Sequence, residues 1–145
     1  MATPSDRIAL AVAALPIRSG MRVLEIGCGP GVAARAVLER VGDTGFVLGI
    51  DRSSTAITQA ERGSCAGISS GRLAFRTVAA EEFVLATDES LFDLAFALRV
   101  GALDGRHPDA GRMALARIVA VLRPGGKLFV DTGNPMAEVP LPNCS

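Results

Sequence analysis

The sequence contains no tryptophan and no tyrosine, and its aromatic side chains are six phenylalanines and one histidine. Proteins that bind single-stranded nucleic acids usually stack the bases on aromatic rings, and this chain has few of them. The 15 lysines and arginines are balanced by 15 aspartates and glutamates, so the net charge is zero and no basic field attracts polyanions. A nucleic-acid substrate is therefore disfavoured.

Long apolar runs and paired cysteines are also missing. The longest apolar run, Ile8 to Pro16, is shorter than the roughly 20 residues that span a bilayer, and Asp6 precedes it. Three cysteines, Cys28, Cys65 and Cys144, are an odd number without the spacing of metal ligands, so neither a disulfide framework nor a metal site is indicated. These absences predict a cytoplasmic protein without a membrane partner.

The length of 145 residues predicts a single domain over residues 1–145, with an N-terminal helical segment at 1–17 and an irregular tail at 133–145. Apolar patterning, glycines and caps divide the chain further. The predicted strands are 21–26, 46–50, 72–78, 91–97 and 127–130, the predicted helices are 3–16, 30–41, 54–62 and 109–122, and residues 63–71 are predicted to be a flexible connection.

The most informative segment is VLEIGCGPG at residues 23–31, where a buried strand breaks into alternate glycines. Glycine adopts positive φ and lets a ligand lie against bare backbone, so this pattern is typical of a ligand-binding loop. The dinucleotide fingerprint GxGxxG would require glycine at position 32, which is Val32. An oxidoreductase that uses NAD is therefore a weaker alternative.

The pattern ExGxGxG at residues 25–31 resembles the first motif of the class I S-adenosylmethionine (SAM) dependent methyltransferases. The resemblance continues at Asp51, at the end of the predicted second strand. It also includes the predicted fourth strand at 91–97 and the turn LRPGGKLFV at 122–130. Because the matches follow in order from about residue 20 to residue 132, they indicate membership of this family.

Alternating strands and helices predict a mostly parallel α/β sheet with helices on both faces. The resemblance implies a Rossmann-like three-layer sandwich with strand order 3-2-1-4-5. Family members usually continue with a helix and an antiparallel strand pair, but only residues 131–145 follow here, and Pro135, Pro140 and Pro142 disfavour a strand. We therefore expect the C-terminal strand pair to be missing or replaced.

That expectation leaves the fifth strand, residues 127–130, as an exposed edge. The tail could cover the edge, a second copy of the chain could cover it, or the sequence could be a shortened version of a longer protein. Of these we expect a two-fold homodimer, because closed two-fold contacts are the commonest way in which identical chains meet.

The resemblance also implies which residues bind the cofactor. Asp51 would accept hydrogen bonds from the ribose hydroxyls, while Glu25 and the glycines would shape the methionine end of the site. Relatives often have an acid after the third strand where this chain has Ala79, so Glu81 could replace it as an acceptor for the adenine amino group; the alternative is a solvated carboxylate in a first helical turn. The predicted cofactor-binding residues are Glu25, Gly27, Cys28, Gly29, Gly31, Asp51, Arg52, Ala80, Glu81 and Leu98.

The loop at residues 98–109 follows the fourth strand, where the family places residues that contact the methyl acceptor. It contains His107, a candidate catalytic general base because the unperturbed pKa of histidine is about 6.5. The alternative is a loop histidine that bonds the backbone. Arg99 is a candidate for an acidic acceptor or the SAM carboxylate, and a solvated arginine is equally compatible with the sequence.

These features together predict a SAM-dependent methyltransferase that acts on a small-molecule acceptor. The alternative is a SAM-binding protein without catalytic activity, such as a regulatory or partner subunit. Binding without turnover would distinguish the alternative from the enzyme.

Overall fold

The computed structural model describes residues 4–98, 108–131 and 136–141. Within these ranges the chain forms one mixed sheet with helices on both faces. The strands are β1 Arg22–Ile26, β2 Phe46–Asp51, β3 Leu73–Thr77, β4 Phe92–Ala97, β5 Leu122–Val130 and β6 Ala137–Val139. The helices are α1 Pro4–Ala14, α2 Val32–Val41, α3 Ser54–Arg62, α4 Cys65–Ser69 and α5 Pro108–Val121, with 3₁₀ turns at Gly42–Thr44 and Ala80–Glu82.

The strand order in the sheet is β3-β2-β1-β4-β5-β6. The first five strands are parallel to one another. Their order in the sheet confirms the predicted order 3-2-1-4-5. The chain moves outward from β1 through β2 to β3 and then returns to the other side of β1 with β4. The carboxyl ends of β1, β2 and β4 therefore meet at the point where the strand order reverses, which is where open α/β sheets bind ligands.

Both faces of the sheet are covered by apolar side chains, as expected for parallel strands. Leu24 and Ile26 of β1 belong to the cluster that packs under α5 and the 80–82 turn. Val23 belongs to the other cluster, which includes side chains of α1 and α2. The central strands are thus fixed from both sides, and their carboxyl ends provide a rigid base for the loops that follow them.

The end of the sheet differs from the sequence prediction. β6 pairs antiparallel with β5 and joins Val139 to Leu128, Glu138 to Phe129 and Ala137 to Val130. The prediction of an uncovered fifth strand is therefore wrong, because the prolines at 135 and 140 flank this short strand in the sequence and do not interrupt its ladder. The chain's own tail covers this edge, which removes the reason for expecting a homodimer.

The connection at 63–71 also differs, because it contains the short helix α4. Ser64 is buried, and its hydroxyl accepts a hydrogen bond from Arg35 Nη1 at 3.0 Å. Gly67 lies so close to α2 that an added Cβ would be 2.8 Å from Leu38 Cδ2. Small residues that suggested flexibility in the sequence instead permit close packing.

Two helix predictions need smaller corrections. α2 begins at Val32 and not at residue 30, because Gly31 has a left-handed φ of 88° and remains in the loop. α5 ends at Val121 and not at residue 122, because Leu122 begins β5; its buried face consists of Ala114, Ile118 and Val121, whereas Met113 is 56% exposed.

The last turn of α2 holds α1 against the fold. The Arg40 guanidinium donates a hydrogen bond from Nη1 to the Val12 carbonyl and another, of 3.3 Å, from Nη2 to the Ile17 carbonyl. Both carbonyls lie at or just beyond the carboxyl end of α1. This contact is at the opposite end of α2 from the glycine loop.

We predict that Gly49→Ala lowers stability, because Gly49 lies in β2 beneath the Phe75 ring. An added Cβ would be 2.8 Å from Phe75 Cδ1 and 3.0 Å from Cys28 Cβ. Overpacking of this kind costs about 1–3 kcal/mol in the free energy of unfolding. Urea unfolding followed by circular dichroism would measure the loss, since the chain has no tryptophan to report by fluorescence.

The matched test adds Phe75→Leu to Gly49→Ala. If the ring causes the strain, the double variant will be more stable than the sum of the two single losses predicts. Additive losses would show that the ring moves aside without cost.

Candidate functional site

The glycine loop, residues 27–31, joins the carboxyl end of β1 to α2. The backbone N–H groups of Gly27 and Cys28 both donate to the Ile50 carbonyl, at 2.8 and 2.9 Å. Gly27, Gly29 and Gly31 have φ values of 70°, 52° and 88°, so each occupies the left-handed region that the sequence predicted for them. The loop is therefore fixed to the end of β2 in a conformation that other residues rarely adopt.

The environments of Gly29 and Gly31 differ. Apart from its neighbours in the chain, no described residue has an atom within 4 Å of a Cβ built on Gly29, so the backbone there faces open space. A Cβ on Gly31 would lie 3.1 Å from Phe75 Cζ and 3.2 Å from Ala60 Cβ. Gly29 thus offers bare backbone to a ligand, while Gly31 also allows α3 and β3 to pack against the loop.

Asp51, at the end of β2, connects the loop to the next helix. Its Oδ2 accepts a hydrogen bond of 2.9 Å from the Gly29 N–H, and its Oδ1 accepts one of 2.9 Å from the Ser53 N–H. Ser53 in turn caps α3 by accepting a hydrogen bond from the Ala56 N–H. A carboxylate has about four acceptor positions, so the partly exposed Asp51 retains capacity for a ligand. The glycine loop and Asp51 therefore lie side by side at the carboxyl ends of β1 and β2.

Glu25 lies beneath this loop and is 2% exposed. The backbone N–H of Ala34, in the first turn of α2, favours the ionised form of its carboxyl group. Its Oε1 has no hydrogen-bond partner among the residues that the structure describes. A buried acceptor without a partner is suited to a cationic or hydrogen-bond-donating ligand group.

Burial also raises the pKa of Glu25 well above its ordinary value, and the negative charge of Asp51 adds to this effect. The Ala34 N–H and the Arg35 charge act in the opposite direction. Burial likewise raises the pKa of the Cys28 thiol to about 12, with further contributions from Glu25 and Asp51. Cys28 therefore remains a neutral thiol that fills space and does not act as a nucleophile.

Arg52 and Glu81 meet where the loops after β2 and β3 approach each other. Arg52 Nη2 lies 3.1 Å from Glu81 Oε1, with the Arg52 side chain largely exposed and the Glu81 side chain largely buried. Glu81 Oε2 is buried without a partner in the described part of the chain. Glu81 is thus held in place and is not a freely solvated carboxylate. The neighbouring Ala80, which begins the 3₁₀ turn, is also buried.

Leu98 directly follows β4 and packs, half-buried, against the core cluster of the α1 and α2 face. His107 and Arg99 lie outside the described residues, as does most of the predicted acceptor loop. Across residues 4–98, 108–131 and 136–141, no three histidine, cysteine or acidic side chains are grouped as a metal ion requires. No helix in those ranges has the length and apolar character to cross a membrane.

The sequence analysis did not identify Arg35 as part of this site. Its Nη1 donates to the Pro30 carbonyl at 3.0 Å and to Ser64 Oγ at 3.0 Å, so it connects the glycine loop with the turn between α3 and α4. The sequence signal would have been an arginine one helical turn after the last glycine of the loop. That signal is weak, because Ser64 is 29 residues away in the chain.

A family model described as a methyltransferase domain matches residues 17–144 of the chain. Among curated proteins, the chain is 36% identical over 114 residues to the ubiquinone/menaquinone biosynthesis C-methyltransferase UbiE of Laribacter hongkongensis, covering 79% of this chain and 43% of that protein. The chain spans less than half the length of the curated relatives that it matches.

Solved structures share the fold. A SAM-dependent methyltransferase from Thiobacillus denitrificans in complex with S-adenosyl-L-homocysteine (SAH) is 26% identical, with a TM-score of 0.64 over 88% of this chain and 48% of that one. The [4+2]-cyclase SpnF is 28% identical, with a TM-score of 0.67 over 87% of this chain and 43% of that one. The same fold therefore occurs in proteins described by different reactions.

We predict that Glu25→Gln changes how stability depends on pH. Because the pKa of Glu25 is higher in the folded protein than in the unfolded chain, the folded state retains a proton that the unfolded state releases, and stability falls as pH rises through the folded pKa. Glutamine does not titrate, so the variant should become more stable relative to the parent as pH rises from 5 to 8. Urea unfolding at several pH values would test this, and parallel pH curves for the two proteins would contradict it.

Proposed function

The chain belongs to the methyltransferase-domain family, and from that membership we propose that it binds SAM. We propose further that it transfers the methyl group of SAM to a small-molecule acceptor. The observation that carries the proposal is the pairing of Gly29 with Asp51. An open stretch of backbone and a carboxylate with spare acceptor capacity lie side by side at the carboxyl ends of neighbouring strands. This arrangement suits a nucleoside with a charged side arm.

The described residues fit the parts of SAM. Asp51 would accept hydrogen bonds from the ribose hydroxyls, since both of its oxygens are already oriented by backbone N–H groups. The unpartnered Oε1 of Glu25 is an acceptor on the β1 side, suited to the ammonium group of the methionine part. Gly27, Cys28 and Gly29 would let the ligand lie against the loop backbone.

Residues after β3 would contact the adenine. Glu81 Oε2 is an unpartnered acceptor for the exocyclic amino group, and the ion pair with Arg52 fixes the carboxylate that carries it. The backbone N–H of Ala80 would donate to a ring nitrogen. Leu98, half-buried after β4, would form part of the apolar wall on the acceptor side.

SAM supplies an activated methyl group on a sulfonium when it is bound, so the chain mainly has to bind, align and exclude water. Glu25 and Asp51 would orient the two ends of the cofactor from fixed strand ends. We propose His107 as the general base for the acceptor on sequence grounds alone. A small-molecule acceptor is supported by the zero net charge and by the relative named as a ubiquinone/menaquinone C-methyltransferase.

A second candidate is a SAM-binding protein that does not transfer the methyl group. The structural similarity to a protein described as a [4+2]-cyclase favours this alternative, because that name describes a different reaction on a similar fold. Binding of SAM without release of SAH, across a panel that includes quinone precursors, would support this second candidate.

We predict that Asp51→Ala weakens the binding of SAH. The loss of bonds to two ribose hydroxyls costs about 1–3 kcal/mol, so the dissociation constant should rise roughly 5- to 150-fold. Calorimetric titration would measure it.

The matched control for Asp51→Ala is Ser53→Ala, which removes the cap of α3 but keeps the Ser53 backbone N–H on Asp51. Its affinity should stay within about twofold of the parent while stability falls by about 1 kcal/mol. An unchanged dissociation constant for Asp51→Ala would exclude Asp51 from the site. Failure of the parent protein to bind SAM or SAH, or binding of NADH in their place, would overturn the proposed function.

We predict that His107→Ala lowers turnover by about 10²- to 10⁴-fold and leaves SAH affinity nearly unchanged. Turnover and SAH affinity should respond differently because a general base acts on the acceptor after the cofactor has bound. The measurement is methyl transfer from labelled SAM to an acceptor found in the panel. Equal turnover of parent and variant would show that His107 has a structural role only.

A further inference from the structure

The Arg35 guanidinium lies between the glycine loop and the turn that joins α3 to α4. Its Nη1 donates one hydrogen bond to the Pro30 carbonyl and one to Ser64 Oγ, each of 3.0 Å. A guanidinium Nη carries two protons, so both donors of this nitrogen are used. Ser64 is 4% exposed, which makes it a fixed anchor for the arginine.

Two glycines leave the space that the guanidinium occupies. A Cβ on Gly31 would lie 2.9 Å from Arg35 Nη1, and a Cβ on Gly63 would lie 2.9 Å from the same nitrogen and 3.3 Å from Cζ. The two glycines belong to different segments that are 32 positions apart in the sequence. Any side chain at either position would have to displace the guanidinium.

The Pro30 carbonyl matters because proline has no N–H with which to anchor the loop. The N–H groups before it are fixed by the Ile50 carbonyl and by Asp51. Arg35 supplies the corresponding contact at Pro30, between the open backbone of Gly29 and the start of α2. The loop is thus held by hydrogen bonds both before Pro30 and at Pro30 itself.

We propose that Arg35 is a positioning residue: its guanidinium fixes the Pro30 carbonyl against Ser64 and so holds the glycine loop in its binding conformation before a ligand arrives. Hydrogen bonds that involve a charged donor are stronger than neutral ones, so this contact is suited to the purpose. A loop that is already ordered loses less entropy when a ligand binds. The identity of the ligand in this inference rests on the proposed function, whereas the ordering of the unliganded loop by Arg35 does not.

Arg40 provides a matched control because it is on the same helix and also donates two guanidinium hydrogen bonds, in its case both to backbone carbonyls. Its partners are Val12 and Ile17, at the other end of α2 from the loop. Arg35→Met and Arg40→Met therefore remove equivalent groups with equivalent numbers of bonds. The two variants differ in whether the lost contact reaches the glycine loop.

We predict that Arg35→Met raises the dissociation constant for SAH by roughly tenfold, as expected for the loss of preorganisation in a short loop. In the unliganded protein, the backbone amides of Gly29 and Gly31 should exchange with solvent at least several times faster. Arg40→Met should lower the midpoint of urea unfolding without changing either quantity. Arg35→Lys should restore part of the affinity, because its ammonium group can still donate to the Pro30 carbonyl.

The measurements are calorimetric titration with SAH and amide exchange by NMR, both under conditions where each variant is folded. Equal SAH affinities and equal Gly29 exchange rates in the two methionine variants would overturn the proposal and leave Arg35 with a role in stability alone. If Arg35→Met does not fold, Ser64→Ala is the substitute. It removes the far anchor of the guanidinium and should weaken binding by a smaller factor, whereas unchanged affinity and exchange would overturn the proposal.

The two hypotheses fail in different ways. If the parent protein binds no SAH, the proposed function is wrong, and the exchange of the Gly29 amide in the unliganded variants still decides whether Arg35 orders the loop. If the parent binds SAH and the Arg35 variants bind it equally well, the proposed function stands and the positioning role is wrong.

Discussion

The hydrogen bond from the Gly29 N–H to the Asp51 carboxylate is the contact on which the organisation of the site depends. It joins the loop after β1 to the end of β2, so two segments that are 22 residues apart form one surface. The same carboxylate binds the Ser53 N–H and thereby fixes the start of α3. Since Asp51 is held by donors from both sides, the position of its carboxylate is determined before the proposed ligand binds.

The buried side-chain polar atoms without partners differ between the two edges of the sheet. Of the buried side-chain polar atoms that lack a partner in the described ranges, the two acceptors are Glu25 Oε1, beneath the glycine loop, and Glu81 Oε2, beside the end of β3. The one donor of this kind, Arg22 Nε, lies at the opposite edge, where its guanidinium rests over the Phe46 and Phe92 rings. Buried acceptors without partners are costly to folding, and both of these lie at the carboxyl edge, where the proposed ligand would complete them.

The glycine loop and the acid after β2 were predictable because their signals are local, whereas the strand order 3-2-1-4-5 was implied by the family resemblance. The alternate glycines and the acid that ends β2 have fixed spacings, and positive φ at these glycines follows from their chemistry. Contacts made by packing were not predictable: the slot for Arg35 depends on Gly63, and the edge strand at 137–139 forms because the tail returns to β5. Whether small or proline-containing segments stay irregular depends on what they pack against, which a local pattern does not contain.

The two edges of the sheet differ in how completely their carboxylates are hydrogen-bonded within the protein. At the amino edge, Asp93 accepts hydrogen bonds from the Arg22 N–H and from Arg123 Nη1, each of 2.8 Å, and so connects the starts of β1 and β4 with β5. Both oxygens of this carboxylate are used within the protein, whereas Glu25 and Glu81 at the carboxyl edge each retain a free one. Removing the Asp93 charge would therefore act on folding alone. Replacing the Glu25 carboxyl group with an amide would relieve a cost to folding at high pH, and under the proposed function it would also weaken binding, which is the trade-off expected where a fold preserves a destabilising group for its ligand.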